Sequence, residues 1–65
     1  MGQRTKAAIR QSFLALLNQM SFDKISIRDI AEKSGVTRNT FYYYYRDIYA
    51  LTEEIFDLEI ERIAG

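Results

Sequence analysis

Residues 26–45 read SIRDIAEKSGVTRNTFYYYY, and this stretch decides the fold. Ser26 stands before Ile27, Ile30 and Ala31, which share one face of a helix, and Asp29 follows Ser26 by three residues. That spacing is the Ser-x-x-Asp variant of a capping box, in which each side chain satisfies the other residue's backbone N–H. Ile25 before the cap and Ile30 beyond it are spaced to pack as a hydrophobic staple. Gly35 ends the helix, because it enters the left-handed conformation without a Cβ penalty. Thr37 then offers a second N-cap, and Val36 with Phe41 repeats the staple. Two short, capped helices joined by a Gly-containing turn predict a helix-turn-helix, its first helix running over about residues 27–34.

The surface of the second helix points to its use. Phe41 and Tyr45, four residues apart, share the inner face. Arg38, Asn39, Tyr42 and Tyr43 then point outward, where a buried helix would carry aliphatic residues. Arg and Asn side chains suit bidentate contacts with the edges of guanine and adenine, so this helix reads as a recognition helix. The run Tyr42–Tyr45 is separated by the ~100° turn per residue of a helix, which sends Tyr45 inward and Tyr44 to the side. A phenol combines an apolar body with a hydroxyl that reaches phosphate oxygen, so exposed tyrosines suit a DNA face. The plainer reading is that Tyr42 and Tyr44 only pack against neighbouring helices.

The stretch Ile25–Leu51, ISIRDIAEKSGVTRNTFYYYYRDIYAL, closely resembles the DNA-binding domain of the tetracycline-repressor (TetR) family of bacterial transcriptional regulators. IRDIA, the GVT turn and TFY carry the likeness, and the ALLNQMSF ending of the first helix fits the same pattern. The resemblance implies an all-α, tri-helical helix-turn-helix (homeodomain-like) bundle over residues 1–47. It implies a fourth linking helix over residues 48–65, at the start of a link to a C-terminal domain that dimerises and binds a small-molecule inducer. That domain is absent from these 65 residues, so the chain is expected to be a fragment. The implied partners are double-stranded DNA, read in the major groove at a pseudo-palindromic operator, and a second copy of the full-length protein. Ser26, Thr37, Thr40, Tyr42 and Tyr44 are assigned to the DNA backbone, and Arg28, Arg38, Asn39 and Tyr43 to base edges. Tyr44 stands where the family usually has His, Tyr45 where it usually has Phe, and Ile48 where Lys is common. The last change removes a backbone-contacting cation, and Arg46 is the candidate to replace it.

The formal net charge of zero hides an asymmetry. Residues 1–46 carry eight Lys and Arg against three Asp and Glu, a net +5, whereas residues 47–65 carry one against six, a net −5. Such a split suggests a nucleic-acid face at one end, against the alternative of two solvated faces that differ in sign. Sixty-five residues lie near the lower limit for a self-supporting core, and 48% hydrophobic content argues against disorder. There is no Cys and no His, which excludes disulfides, imidazole catalysis and the usual zinc sites, and no cofactor is expected. No apolar run approaches the ~20 residues of a membrane span, so a cytoplasmic protein is the default.

Outside the central stretch, Ile9, Phe13, Leu16, Leu17 and Met20 follow helical spacing over about residues 5–20, a scaffold helix behind a mobile basic arm of Met1–Arg4. In that arm and just after it, Arg4 and Lys6 are candidates to neutralise phosphates. Residues 21–24 form a loop from which Phe22 folds back into the core. Glu32 and Lys33 are read as solvated, whereas Arg28 lies in a first helical turn, where the dipole disfavours a cation.

Asp47 caps the fourth helix, in which Ile48, Leu51, Ile55 and Leu58 face the bundle. Tyr49, Phe56, Ile60 and Ile63 form a second apolar stripe, and Glu53, Glu54, Asp57 and Glu61 occupy the remaining arc. The expected core is Phe13, Leu16, Leu17, Phe22, Ile30, Val36, Phe41, Tyr45, Leu51 and Ile55. Sequence-specific DNA binding is the leading function. The alternative is a small helical module that pairs with another protein through the second stripe. An enzyme is close to excluded, since the chain has no His, Cys or Gly-rich phosphate loop.

Overall fold

In a computed structural model the chain is described over residues 2–64, and the described residues form four α-helices and no strand. They are α1 (Gly2–Leu17), α2 (Ile27–Ser34), α3 (Arg38–Tyr44) and α4 (Ile48–Ala64), with a single 3-10 turn at Phe22–Lys24. The all-α architecture expected from the sequence is therefore observed, with α2 and α3 as the helix-turn-helix pair.

The local signals that set α2 and α3 are all present. The Asp29 N–H donates to Ser26 Oγ (3.1 Å) and the Ser26 N–H donates to Asp29 Oδ2 (3.1 Å), closing the capping box. Gly35 sits at φ 79°, in the left-handed region, and the N–H of Val36 returns to the Ala31 carbonyl (3.0 Å). Thr37 caps α3 by accepting from the Thr40 N–H (3.1 Å), and the Asp47 carboxylate caps α4 by accepting from the Ala50 N–H (2.8 Å).

The core lies where α1, α2, α3 and the first half of α4 meet. Phe41, Ile9, Ile30 and Leu51 are fully buried at its centre, with Phe13, Leu16, Ile25 and Tyr45 around them. Val36 and Ile55 are partly buried against this cluster. Phe41 and Tyr45 point inward together, their ring centroids 5.7 Å apart, although Tyr45 itself is the C-cap of α3 and has extended backbone.

Several expectations are corrected. The first helix begins at Gly2, so Gly2–Arg4 are helical and not an arm, while Met1 lies outside the described residues. Gly2 rests beside Tyr44: a Cβ there would lie 3.6 Å from the Tyr44 ring and hydroxyl. The helix also ends at Leu17, not Met20, because the chain tightens: the Asn18 and Gln19 N–H groups bond three residues back, to Ala15 and Leu16.

Leu17 and Phe22, expected inside, are exposed. Leu17 is the last residue of α1 and turns off the buried face that Leu16 holds. Phe22 lies at the rim, edge-on to Phe13 (6.1 Å) and tilted against Tyr49 (5.8 Å). Leu58 is exposed as well, one turn beyond Ile55, where burial by the bundle has ended. Tyr49, Phe56, Ile60 and Ile63 are exposed as the second stripe.

The largest correction concerns Glu54, which does not join the solvated arc. Its carboxylate accepts from Lys6 Nζ (2.8 Å), Arg10 Nη1 (3.3 Å) and the Tyr45 hydroxyl (2.5 Å), and Lys6 also lies over the Tyr45 ring. One side chain of α4 thus ties α1 and the end of α3 together. Burial pushes the Glu54 carboxyl up, but the hydrogen bonds from Lys6 and Tyr45 and the Lys6 charge outweigh it and hold its pKa below 4.5. Burial, followed by the hydrogen bond to Glu54, pushes the Tyr45 phenol up to about 12.

Two predictions follow from this packing. Phe41→Ala removes a fully buried ring and should cost ~3–5 kcal/mol, enough to unfold so small a domain, as read by thermal or urea denaturation. A wild-type melt would refute the core assignment. The Glu54 cluster should also shape stability against pH at both ends. The lowered Glu54 pKa means that its contribution is complete above the ordinary value of 4.5 and is lost as pH falls through the folded-state value. The raised Tyr45 pKa means that its contribution is complete below 10.0 and is lost as pH rises through about 12. Denaturation across pH should therefore show a weaker acid limb in Glu54→Gln and a weaker alkaline limb in Tyr45→Phe.

Candidate nucleic-acid interface

The site is built outward from Phe41. Because that ring is buried, the residues one and two positions on are turned away from the core. Tyr42 is 54% exposed and Tyr43 81% exposed. Each is nevertheless held by a neighbouring ring. Tyr42 stands edge-on to Phe41 (5.8 Å), and Tyr43 stands edge-on to the partly buried Tyr44 (4.9 Å), which in turn borders Gly2 at the start of α1. Two large aromatic side chains are thus presented to solvent, each braced by a neighbouring ring.

At the other end of α3, Arg38 and Asn39 occupy the first two helical positions and are exposed. Among the described residues Arg4, Lys24, Lys33 and Arg38 form no ion pair, so the Arg38 guanidinium is free to take an external acceptor. Arg38 and Thr37 line one open cleft of about 320 Å³ together with Arg28, Ala31, Glu32 and Val36. The fold therefore brings the α2 candidate Arg28 to the same cleft as the first residue of α3.

The hydroxyl candidates have structural duties that leave a proton available. Ser26 Oγ and Thr37 Oγ1 each accept a backbone N–H in a cap, and Thr37 Oγ1 and Thr40 Oγ1 share one hydrogen bond (3.1 Å) that uses the proton of one of them and leaves the other's. A capping oxygen that accepts an N–H still carries its own O–H, which can donate to a phosphate oxygen. Thr40 is only half-buried, so its hydroxyl remains within reach of solvent.

The cations are distributed differently from the sequence expectation. Lys6, a phosphate candidate, is engaged by Glu54 together with Arg10. Arg28 donates from Nε to Glu32 Oε2 (3.0 Å), so Glu32 is paired as well as exposed. Arg46, highly exposed just past α3, lies 3.7 Å from Asp47. Such surface pairs contribute ~0–1 kcal/mol, so neither withdraws its arginine from an external acceptor. The residue that sequence reasoning missed is Glu54. A signal was present: Lys6 and Arg10 stand four apart on α1, which places two cations on one helix face where a shared anion would settle.

Comparison with known proteins now settles the family. The sequence profile described as "Bacterial regulatory proteins, tetR family" matches residues 6–55, most of the chain. The protein belongs to the TetR family. The chain is 32% identical over 57 residues to the HTH-type transcriptional regulator YxbF of Bacillus subtilis, covering 88% of this chain and 15% of that protein. It is 34% identical over 61 residues to the HTH-type transcriptional regulator EthR of Mycolicibacterium smegmatis, covering 94% of this chain and 28% of that one. It thus spans well under a third of the length of these relatives. No solved structure matches significantly. As a TetR-family helix-turn-helix domain the chain belongs with DNA-binding transcription regulators, and these relatives are named as regulators and not as enzymes. Among the described residues no helix is long and apolar enough to cross a membrane.

Proposed function

We propose that this chain is the DNA-reading head of a ligand-responsive repressor, binding one half of a pseudo-palindromic operator in the major groove. The observation that carries the reading is the outer face of α3. Arg38, Asn39, Tyr42 and Tyr43 stand exposed on a helix capped by Thr37 and anchored by buried Phe41. In this reading Arg28, Arg38, Asn39 and Tyr43 meet base edges, and Ser26, Thr37, Thr40, Tyr42, Tyr44 and Arg46 meet the sugar-phosphate backbone. Residues 1–47 form the reading unit, and residues 48–65 begin the connection to a dimerising, inducer-binding domain.

The exposed stripe of α4 supports that connection. Tyr49, Phe56, Ile60 and Ile63 are an apolar face that the four-helix head leaves uncovered, as expected of a helix packed on two bodies. A homodimer sets two heads about one DNA turn (~34 Å) or a multiple apart, which matches a palindromic operator. The regulator would act in the cytoplasm, where bacterial DNA lies. The same stripe also suits the alternative reading, a helical module that pairs with another protein. That reading leaves the free Arg38 and the exposed Asn39, Tyr42 and Tyr43 without a role.

A gel shift with duplex DNA at low and moderate salt separates the two: a DNA-reading head loses affinity steeply as salt rises, whereas an adaptor binds at neither. Asn39→Ala should relax preference at one base position by ~1–3 kcal/mol, and Tyr42→Phe should weaken all sequences alike. An unchanged binding motif after replacement of Arg28, Arg38, Asn39 and Tyr43 together would refute the site assignment.

A further inference from the structure

Arg28 and Glu32 lie one turn apart on α2, and both line the cleft that opens onto Thr37 and Arg38 at the start of α3. Their contact is made by one edge of the guanidinium: Nε donates to Glu32 Oε2 at 3.0 Å. Arginine is a rigid planar fork, so fixing Nε also fixes the direction of the far edge, Nη1 and Nη2. That far edge is a two-donor pair suited to the O6 and N7 acceptors of guanine. The pair is open to solvent, with side-chain exposures of 76% and 65%, so it orients Arg28 without withdrawing it from a ligand.

We propose that Glu32 is a positioning residue for base reading, holding Arg28 through Nε so that its Nη1/Nη2 edge meets a guanine in the major groove. The proposal deepens the DNA-reading function and rests on Arg28 being a base contact. An anion beside DNA has an opposite effect on affinity at large, since its carboxylate repels phosphates whatever the sequence. Glu32 therefore trades general affinity for discrimination at one base pair. The two effects have opposite signs, which separates positioning from simple charge.

The test is selection from a randomised duplex pool at low salt with the 65-residue chain, a single head that ranks half-site sequences even where it binds them weakly. Wild type, Glu32→Gln, Arg28→Ala and the double variant are compared, with helicity and melting checked for each. Glu32→Gln should bind random duplex more tightly yet lower the guanine preference at one position about three- to fivefold, the scale of an exposed ion pair. In the Arg28→Ala background the same change should leave the preferences as they are. If Glu32→Gln tightens binding with preferences intact, while Arg28→Ala loses one position, the positioning role is overturned and the DNA reading stands. If Arg28→Ala leaves the motif unchanged, the base contact of Arg28 falls and the proposal with it. If the wild-type chain binds duplex but enriches no sequence, the base contact of Arg28 falls and the proposal with it; if it binds no duplex at low salt, the DNA reading itself is overturned.

Discussion

The burial of Phe41 is the constraint on which the rest of this structure depends. The ring is fully enclosed by a core that includes Ile9 of α1, Ile30 of α2 and Leu51 of α4, so it fixes the rotation of α3 about its axis. A helix of seven residues has no intrinsic stability in water, and its place comes from tertiary packing and from the Thr37 cap. Once Phe41 is inside, Asn39, Tyr42 and Tyr43, roughly 100–200° further round the helix, have nowhere to go but out, and Arg38 is exposed in the first turn. The chemistry of the outer face is a consequence of one inner contact.

Attachment of α4 works by a different interaction. Leu51 anchors it in the core, but three residues later Glu54 binds Lys6, Arg10 and Tyr45 through a single carboxylate. The two cations lie on α1, and the phenol belongs to the residue that ends α3. This junction removes Lys6 and Arg10 from the pool of freely available positive charge. The proposed DNA face is correspondingly less basic than the +5 of residues 1–46 suggests, and the reading rests more on its polar and aromatic groups.

Much of this was legible in the residues because the signals are local. The Ser26–Asp29 box, Gly35, the Thr37 cap and the Asp47 cap each involve groups within a few positions, and each is in place. The i,i+4 spacing of Phe41 and Tyr45 also gave the inner face of α3. What the sequence hid depends on where helices end and how they dock. Leu17 and Leu58 look like core residues by periodicity, and Phe22 like a loop residue that folds inward, yet they sit where an element stops or passes the edge of its neighbours. Glu54 looked solvated because periodicity describes one helix at a time, and its partners lie 44 and 48 positions away on α1. The candidate contacts themselves came from residue chemistry and family likeness, and the fold adds that Arg28, Thr37 and Arg38 border one cleft.

The outer face of α3, positioned by Phe41, is the surface we propose meets DNA. Titration of the isotopically labelled chain with duplex DNA, followed through its backbone amide resonances, locates that surface. Shifts should concentrate at Ser26–Arg28 and Thr37–Arg46 and weaken as salt is raised, with α4 beyond Ile55 unchanged. Shifts confined to Tyr49, Phe56, Ile60 and Ile63, or none at low salt, would contradict that assignment.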